Sequence, residues 1–251
     1  MKYVLLTGAS GGLGINLSKY LLEKGYYVIM LYHTNKDGVE ELHSKYPNSL
    51  VYKIDLRNDI EIDALNKYLI DNNINIDILI NNAAIDHTSE LINKNKETFI
   101  DVFELNTYVP YKLMDTINYK SVVNISSDNT IDNFDEVSIE YDVSKAGLNI
   151  ISKIFKKKYP ERIINTIAFG WLDTTMNNIP EDVKKYINFV PFNIACEEIE
   201  KLFEDQKDDI VVVRMWYLWT LYMFIYHFAN IFVHIVISVR FYISRLLLMI
   251  I

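Results

Sequence analysis

Residues 1–209 alternate short apolar runs with longer stretches in which apolar residues recur at helical spacing. The apolar runs predict strands over residues 4–7, 27–32, 50–54, 77–80, 121–125, 163–167 and 210–213. Helical spacing predicts helices over residues 16–23, 38–46 and 58–72. Strands that alternate with helices are typical of βαβ units in a parallel sheet. The sequence therefore predicts an α/β fold, a doubly wound parallel sheet in one domain over residues 1–209.

A glycine-rich turn, T-G-A-S-G-G-L-G, follows the first strand and precedes the first helix. Glycines let the backbone approach a pyrophosphate, and a helix N-terminus offers free N–H groups with a partial positive charge. Two nucleotide-binding spacings stay open. Gly8, Gly12 and Gly14 fit one pattern, and Gly8, Gly11 and Gly14 fit the other. The predicted cofactor contacts in this turn are Gly8, Ser10, Gly11, Gly12, Leu13 and Gly14.

The end of the second strand bears on which nucleotide binds. An acid there would bind the ribose 2′-hydroxyl of NAD, and a basic residue would favour the 2′-phosphate of NADP. The chain reads L-Y-H-T-N-K here, with no acid before Asp37. His33 and Lys36 could therefore serve the phosphate, and NADP is favoured over NAD. The alternative is that both are solvated loop residues.

Tyr141 and Lys145 lie four residues apart in the helical stretch I-E-Y-D-V-S-K-A-G. At that spacing they share a helix face, so the ammonium can lie near the phenol. A free tyrosine titrates near pH 10, which is too high for efficient proton transfer at neutral pH. A cation about 4 Å away, at an effective dielectric near 20, supplies about 4 kcal/mol, enough to lower that pKa by about three units. The pair predicts that the phenol of Tyr141 is unusually acidic. The alternative is that Tyr141 has no catalytic role and is simply one of the 18 tyrosines in the chain.

Several motifs in this order resemble those of the short-chain dehydrogenase/reductase family, over about residues 2–200. They are the glycine turn, Asn81-Asn82-Ala83-Ala84, E-L-N-T, N-I-S-S and the Tyr-x-x-x-Lys pair. The resemblance implies a Rossmann-like fold and an NAD(P)-dependent interconversion of a ketone and a secondary alcohol. It also implies a small-molecule carbonyl or alcohol substrate, whose identity stays open.

By resemblance, the catalytic tetrad is Asn106, Ser127, Tyr141 and Lys145. Tyr141 would deliver the proton, Ser127 would donate a hydrogen bond to the oxyanion, and Asn106 would hold a water near Lys145. Ser126 is a second candidate for the serine role. Taken singly, a serine after a strand is commonly an N-cap, and an asparagine in a helix often only caps or bends it.

The resemblance also assigns the remaining cofactor contacts. Asp55, followed by Leu56, would meet the adenine; Asn82 and Ala83 would line the ribose. In the segment F-G-W-L-D-T, Leu172 and Thr174 would hold the nicotinamide carboxamide, and Tyr141 and Lys145 would also touch the cofactor.

The chain departs from the family pattern in three places before its tail. Ala84 replaces a glycine, a mild change unless the position needs a positive φ. Phe169 replaces a proline, which would leave the loop above the nicotinamide less rigid. The stretch between Asn106 and Ser127 is shorter than usual, although this helix builds the common dimer interface of the family. A homo-oligomer is therefore an open expectation.

Charge and cysteine content exclude some classes of function. The formal net charge is −8, from 25 basic and 33 acidic side chains. Three of the basic side chains are arginines after residue 209, so residues 1–209 carry 22 basic side chains and all 33 acidic ones. An acidic body without a basic stripe argues against nucleic acid as a partner. The single cysteine, Cys196, is expected to be a buried, inert thiol in a reducing cytoplasm. The histidines show no convincing metal-ligand spacing, and no signal peptide precedes the first strand, so neither a metal nor export is predicted.

The C-terminal segment, residues 210–251, departs most from the family. Residues 215–238 contain no Asp, Glu, Lys or Arg. This uncharged stretch is longer than the ~20 residues that a helix needs to cross a bilayer. Arg214 and Arg240 flank this stretch, and Trp216, Tyr217 and Trp219 suit an interfacial belt. Three interpretations stay open: a membrane anchor, a helix that packs in an oligomer, or a frameshifted or mispredicted end that is foreign to the family.

Two other functions remain as alternatives. A nucleotide-sugar epimerase or dehydratase shares the glycine turn and the Tyr-Lys pair, although the Asn-Asn-Ala-Ala segment and the short C-terminal region count against it. The second alternative is a non-catalytic NADP(H)-binding module, tethered to a membrane or not. The complete catalytic tetrad counts against this alternative.

Overall fold

A computed structural model describes residues 1–87, 94–132, 136–177 and 179–215. Within them, the strands form one parallel sheet with the order β3-β2-β1-β4-β5-β6-β7. Their bounds are β1 Tyr3–Leu6, β2 Tyr27–Tyr32, β3 Ser49–Lys53, β4 Ile76–Asn81, β5 Tyr119–Ser127, β6 Ile163–Phe169 and β7 Val211–Val213. The strand order reverses between β1 and β4, and such a switch point opens a crevice at the carboxyl ends of the strands.

Helices connect the strands and cover both faces of the sheet. Their bounds are α1 Gly12–Glu23, α2 Asp37–Lys45, α3 Asp59–Asp71, α4 Lys96–Phe103, α5 Val109–Thr116, α6 Ile139–Lys158, α7 Glu181–Lys184 and α8 Phe192–Lys201. A π-helical turn over Glu104–Tyr108 joins α4 to α5, and a 3₁₀ turn over Asp128–Thr130 follows β5. This is the predicted doubly wound, Rossmann-like α/β fold.

Two apolar clusters hold the layers together, one on each face of the sheet. In one cluster Leu17 and Leu21 of α1 pack with Ile199 of α8. In the other, Leu65 of α3 and Leu113 of α5 are fully buried beside the same sheet. The strands are apolar in nearly continuous runs because both of their faces are covered.

The predicted elements agree with the observed ones to within a few residues. The strand predicted over 27–32 has the bounds Tyr27–Tyr32, and the helix predicted over 58–72 is Asp59–Asp71. The predicted helix 16–23 begins earlier, at Gly12, because the last glycines of the turn already have helical geometry. Gly25 ends this helix at a φ of +85°, which glycine adopts without strain.

Cys196 lies on α8 with almost no solvent exposure. Burial, followed by the charge of Glu197, raises the pKa of its thiol to about 12. The expected burial of Cys196 is confirmed, and a thiol that stays protonated at neutral pH is a poor nucleophile, as expected of an inert side chain.

The chain divides into two units, Met1–Arg214 and Met215–Ile251. Strand β7 belongs to the first unit and pairs with β6 through Ala168 and Val212. The three interpretations of the apolar tail concern the stretch that begins at Met215, and residues 216–251 of it lie outside the described residues. In the described part of the chain, no helix has both the length and the apolar character that a membrane span needs.

Candidate active site

The glycine turn after β1 forms a cradle that side chains would fill. Gly8 has a φ of +62°, in the left-handed region that favours glycine. A Cβ at Gly14 would lie 2.1 Å from the carbonyl oxygen of Gly8, which no packing can accommodate. Helix α1 starts at the end of this turn with no acid in its first turn and no side-chain cap at Gly11. Its N–H groups and positive dipole end therefore fit a pyrophosphate.

Thr7, which the sequence did not single out, ties this turn to the segment after β4. Its Oγ1 accepts hydrogen bonds from the backbone N–H groups of Asn82 and Ala83, both at 2.9 Å, and donates to the carbonyl of Ile80. The amide of Asn82 donates to the carbonyls of Thr7 and Gly8 at 2.9 and 3.1 Å. These bonds hold the predicted ribose-lining residues against the predicted phosphate turn.

A cleft of about 560 Å³ lies along the carboxyl ends of β1, β2, β4, β5 and β6. Every predicted site residue lines it except Asn106 and Lys36, the second candidate for the 2′-phosphate. The predicted residues that line it are Gly8, Ser10, Gly11, Gly12, Leu13, Gly14, His33, Asp55, Leu56, Asn82, Ala83, Ser127, Tyr141, Lys145, Leu172 and Thr174. The cleft therefore joins the glycine turn to the Ser-Tyr-Lys group. Among the described residues, no group of His, Cys, Asp or Glu side chains could hold a metal ion.

At one end of the cleft, the half-exposed His33 lies beside Asp55. Its Nε2 is 3.9 Å from Oδ2 of Asp55, whose Oδ1 accepts from the backbone N–H of Arg57. Lys36, the other basic candidate for a 2′-phosphate, instead pairs with Glu40 of α2 at 3.1 Å. His33 is thus the better placed of the two candidates.

Helix α6 presents Tyr141 and Lys145 to the cleft from the same face. Nζ of Lys145 lies 5.6 Å from the centre of the Tyr141 ring and donates to the carbonyl of Ile125 at 2.8 Å. Lys145 is 2% exposed, which is rare for a lysine. The predicted proximity of the ammonium and the aromatic side chain is therefore present in the structure.

The structure does not reproduce the predicted lowering of the tyrosine pKa. Burial first, and then the charges of Asp86, Asp142 and Asp128, raise the pKa of Tyr141 above its ordinary value. Burial also lowers the pKa of Lys145 to about 7. The expectation was wrong for the protein alone because it counted the attraction of one ammonium and omitted desolvation of both groups.

Ser127 ends β5 and lines the cleft. Its Oγ accepts from the backbone N–H of Asn129 at 3.3 Å, so it caps the 3₁₀ turn that follows. The N-cap role and the catalytic role of this serine are compatible, because a hydroxyl oxygen that accepts this bond still has its own hydrogen to donate. Ser126, the second candidate, also lines the cleft but is 3% exposed.

Asn106 lies in the π-helical turn, fully buried behind the cleft wall. Its Nδ2 donates to the carbonyl of Ile85 at 2.9 Å and to Oγ of Ser144 at 3.1 Å, and its Oδ1 accepts from the N–H of Ile85 at 2.9 Å. Ser144 in turn donates to the carbonyl of Tyr141. Both amide hydrogens are engaged, so this side chain links the cleft wall to the helix of Tyr141, and its predicted hold on a water stays a prediction.

Two of the family departures have visible consequences. Ala84 lines the cleft without a positive φ, so the missing glycine is a mild change. Phe169 is 4% exposed at the end of β6, where it pairs with Ser127 and Val213. The phenylalanine thus contributes to the core beneath the loop.

Comparison with known proteins decides the family. A sequence profile described as short chain dehydrogenase matches residues 2–184. The chain belongs to the short-chain dehydrogenase family. The family assignment agrees with the resemblance carried by the motifs.

Two members of the short-chain dehydrogenase family share about a quarter of their residues with this chain. The 3-oxoacyl-(acyl-carrier-protein) reductase FabG of Staphylococcus epidermidis is 25% identical over 198 residues, which cover 73% of this chain and 80% of that protein. An (S)-benzoin-forming benzil reductase of Bacillus cereus is 28% identical over 226 residues, which cover 82% of this chain and 90% of that protein.

Solved structures show the same fold. A 4-hydroxyisoleucine dehydrogenase complexed with NADH has a TM-score of 0.76 and 23% identity, covering 85% of this chain and 97% of that one. BdcA in complex with NADPH has a TM-score of 0.76 and 18% identity, and the match covers 85% of this chain and 93% of BdcA. Both nicotinamide cofactors thus occur in proteins of this architecture.

Proposed function

We propose that this protein is an NADP-dependent reductase that converts a ketone to a secondary alcohol. The observation that carries the proposal is the common cleft, in which Ser127, Tyr141 and Lys145 share one cavity with the glycine turn. A carbonyl compound in this cleft would meet two hydroxyl groups and a buried lysine. Neither competing function, a nucleotide-sugar epimerase or a non-catalytic module, is favoured by a specific contact.

The chain provides a contact for each part of the cofactor. The turn from Gly8 to Gly14 would hold the pyrophosphate, Asp55 the adenine, and Asn82 with Ala83 the ribose, while Leu172 and Thr174 would meet the carboxamide. When bound, the reduced nicotinamide supplies a hydride to the carbonyl carbon. The preference for NADP rests on His33, because no acid occurs between the end of β2 and Asp37 to bind a ribose 2′-hydroxyl.

Two hydroxyls would act on the carbonyl oxygen. As negative charge develops there, the hydroxyl of Ser127 donates a hydrogen bond, a contact that strengthens towards the transition state. The phenol of Tyr141 donates a hydrogen bond and then its proton, which leaves an alcohol and a phenolate. Bulk solvent restores the proton after each turnover.

The raised pKa of Tyr141 keeps the phenol in the protonated form that ketone reduction requires, at the cost of making it a weaker acid than a free tyrosine. A phenol must carry its proton to act as an acid, and burial keeps Tyr141 protonated through the neutral range. Transfer remains downhill because an alkoxide is a stronger base than a phenolate. Oxidation of an alcohol would need the phenolate as a base, so it would be slow until the pH is alkaline.

Asn106 and Lys145 would act through position. Asn106 fixes the wall at Ile85 and, through Ser144, the first turns of α6 on which Tyr141 lies. Lys145 is anchored on the carbonyl of Ile125, next to the end of β5 that carries Ser127. A shift of about 1 Å in such groups can cost about a hundredfold in rate, so this support belongs to the site.

The substrate is proposed at the level of class, a small carbonyl compound. FabG is named as a reductase of 3-oxoacyl groups and the other relative as a reductase of benzil, which supports carbonyl reduction without fixing the substrate. A homo-oligomer stays a prediction; Val143, Ile150 and Ile154 of α6 are exposed apolar residues that such a contact would cover. A reducing cytoplasm likewise stays an expectation.

The test is oxidation of NADPH by the full chain over a panel of ketones, with the alcohol identified by mass spectrometry. We expect at least one ketone to yield an equivalent of alcohol for each NADPH consumed. Tight NADPH binding without turnover across the panel would contradict the proposal and favour a binding module. Turnover of nucleotide sugars without net consumption of cofactor would favour an epimerase.

A further inference from the structure

A buried ion pair that the proposed reaction does not use lies one residue before Tyr141. The ammonium of Lys94, just before the start of α4, donates to Oε1 of Glu140 on α6 at 2.7 Å. The side chain of Glu140 is fully buried, and that of Lys94 is 4% exposed. The same ammonium donates to the carbonyl of His87 at 2.6 Å. Lys94 therefore bridges helix α6 and the segment that follows β4.

Two further connections join the segment after β4 to the start of α6. Asp86 accepts a hydrogen bond from Oγ of Ser138 at 2.8 Å. Within the described residues, Ser138 makes no side-chain bond that caps the helix. Ile85 is connected through the amide of Asn106 to Ser144. The segment after β4 is thus bonded to α6 on both sides of the residue that carries the phenol.

The position of Tyr141 in its helix explains what these connections do. Tyr141 is the third residue of α6, and the first N–H groups of a helix have no intrahelical partner. A helix end without tertiary contacts opens easily, and the phenol would move with it. A buried ion pair adds little net stability, since apolar side chains of similar volume are often as stable in its place. It does add direction, because its hydrogen bonds form in a narrow range of geometries.

We propose that Lys94 and Glu140 are positioning residues, whose buried pair holds the phenol of Tyr141 where a carbonyl oxygen also meets Ser127. This inference rests on the proposed function. Neither Lys94 nor Glu140 is among the residues that line the cleft, so the pair acts through the helix and touches neither substrate nor cofactor. Loss of its bonds therefore slows turnover and leaves the binding of NADPH at the glycine turn unchanged.

The double variant Lys94→Met/Glu140→Leu separates position from stability. It replaces the buried pair with apolar side chains of similar volume, so urea unfolding should give a stability close to that of the wild type. At saturating NADPH and ketone, kcat should fall by about 10–100-fold, as for a displacement of about 1 Å, while the affinity for NADPH stays that of the wild type. A wild-type kcat in this variant would overturn the proposal, because a pair with only a structural role leaves turnover unchanged once stability is restored.

Glu140→Gln and a second double variant complete the comparison. Glu140→Gln keeps an oxygen that accepts from Lys94, so it should retain most of the wild-type kcat. Lys112→Met/Asp63→Leu is the matched control, because it removes an ion pair of 3.1 Å between α5 and α3. It should leave kcat unchanged. A loss of kcat in the control or in Glu140→Gln as large as that in Lys94→Met/Glu140→Leu would overturn the proposal.

Amide hydrogen exchange, followed by mass spectrometry, separates this inference from the proposed function because it needs no substrate. The amides of residues 143–147 bond to the carbonyls of the first turns of α6. In the wild type they should exchange as slowly as those of residues 150–154 in the same helix, and at least about tenfold faster in Lys94→Met/Glu140→Leu. Fast exchange at residues 143–147 in the wild type would overturn the proposal.

The two measurements together assign a failure to one claim or the other. The expected difference in exchange, found in a chain that reduces no ketone, would support the attachment of α6 and refute the proposed function alone. Reduction of ketones by both the wild type and Lys94→Met/Glu140→Leu, at the same kcat and with the same exchange, would refute the positioning role and leave the proposed function standing.

Discussion

Replacing Lys145 with methionine should remove a pH dependence of stability that the buried lysine imposes. Burial lowers the pKa of Lys145 from 10.5 to about 7 in the folded protein. Below about pH 7 both states are protonated, and folding carries the full cost of burying the charge. Between pH 7 and 10.5 the unfolded chain binds more protons than the folded one, so stability rises with pH.

The size of the effect follows from the two pKa values. The slope approaches about 1.4 kcal/mol per pH unit once the folded lysine is neutral and the unfolded one is still charged. Integration from pH 7 to pH 9 gives about 2 kcal/mol of added stability from this one group. Methionine has a similar length and no charge, so Lys145→Met should lack this contribution and be the more stable protein at pH 7.

Urea unfolding of the wild type and Lys145→Met at pH 7, 8 and 9, without cofactor, measures the effect. Other titrating groups are common to both proteins, so the difference in the free energy of unfolding isolates Lys145. That difference should shrink by about 2 kcal/mol from pH 7 to pH 9. Parallel stability curves would refute the shifted pKa, and with it the buried position of Lys145 beside Tyr141.

Three further predictions concern the reaction, the cofactor and the cleft wall. Ketone reduction should change little between pH 7 and 9, whereas alcohol oxidation should rise throughout this range, because burial raises the pKa of Tyr141; initial rates in both directions measure this. His33→Ala should weaken NADPH binding by about 10–100-fold while NADH binding changes little, and Lys36→Ala, whose ammonium already pairs with Glu40, should have a smaller effect in fluorescence titrations. Lys94→Met should lower the free energy of unfolding by about 3–5 kcal/mol, since it leaves Glu140 buried without its cation, and the double variant with Glu140→Gln should recover part of the loss in urea unfolding.

Each of these has a clear contrary result. A plateau of the oxidation rate below pH 8 would mean that Tyr141 has a lowered pKa in the working enzyme, since a phenol with the ordinary pKa near 10 would still be deprotonating in this range. Equal losses of NADPH and NADH binding in His33→Ala would remove the argument for NADP. A loss below about 1 kcal/mol in Lys94→Met would mean that the pair is solvated, as for an exposed salt bridge.

The fold was predictable because local patterns decide most of it. Apolar runs such as Tyr27–Tyr32 are buried on both faces, and the parallel sheet follows from strands separated by helices. The π-helical turn at Asn106 was not predicted, since no local residue pattern distinguishes it from an α-helical turn. The last strand was predicted only because Val211–Val213 is strongly β-branched.

The candidate site was predictable where a motif is local and not where it depends on distant segments. The glycine turn and the Tyr-Lys pair are short patterns, and the structure brings both to one cleft. Asp86 and Asp128 were missed because they are far apart in sequence, and only the pairing of β4 with β5 makes them neighbours. The pKa of Tyr141 was mispredicted for the same reason, since burial and these carboxylates are products of the tertiary fold.

The most direct test of the account replaces Tyr141 with phenylalanine, which removes one hydroxyl and keeps the ring. With a ketone that the wild type reduces, kcat should fall by about 10²–10⁴-fold, the contribution of a positioned general acid. Fluorescence titration with NADPH shows that the variant is folded and still takes up cofactor. A kcat within about twofold of the wild type would mean that the proton comes from elsewhere, and the account of this cleft would be wrong.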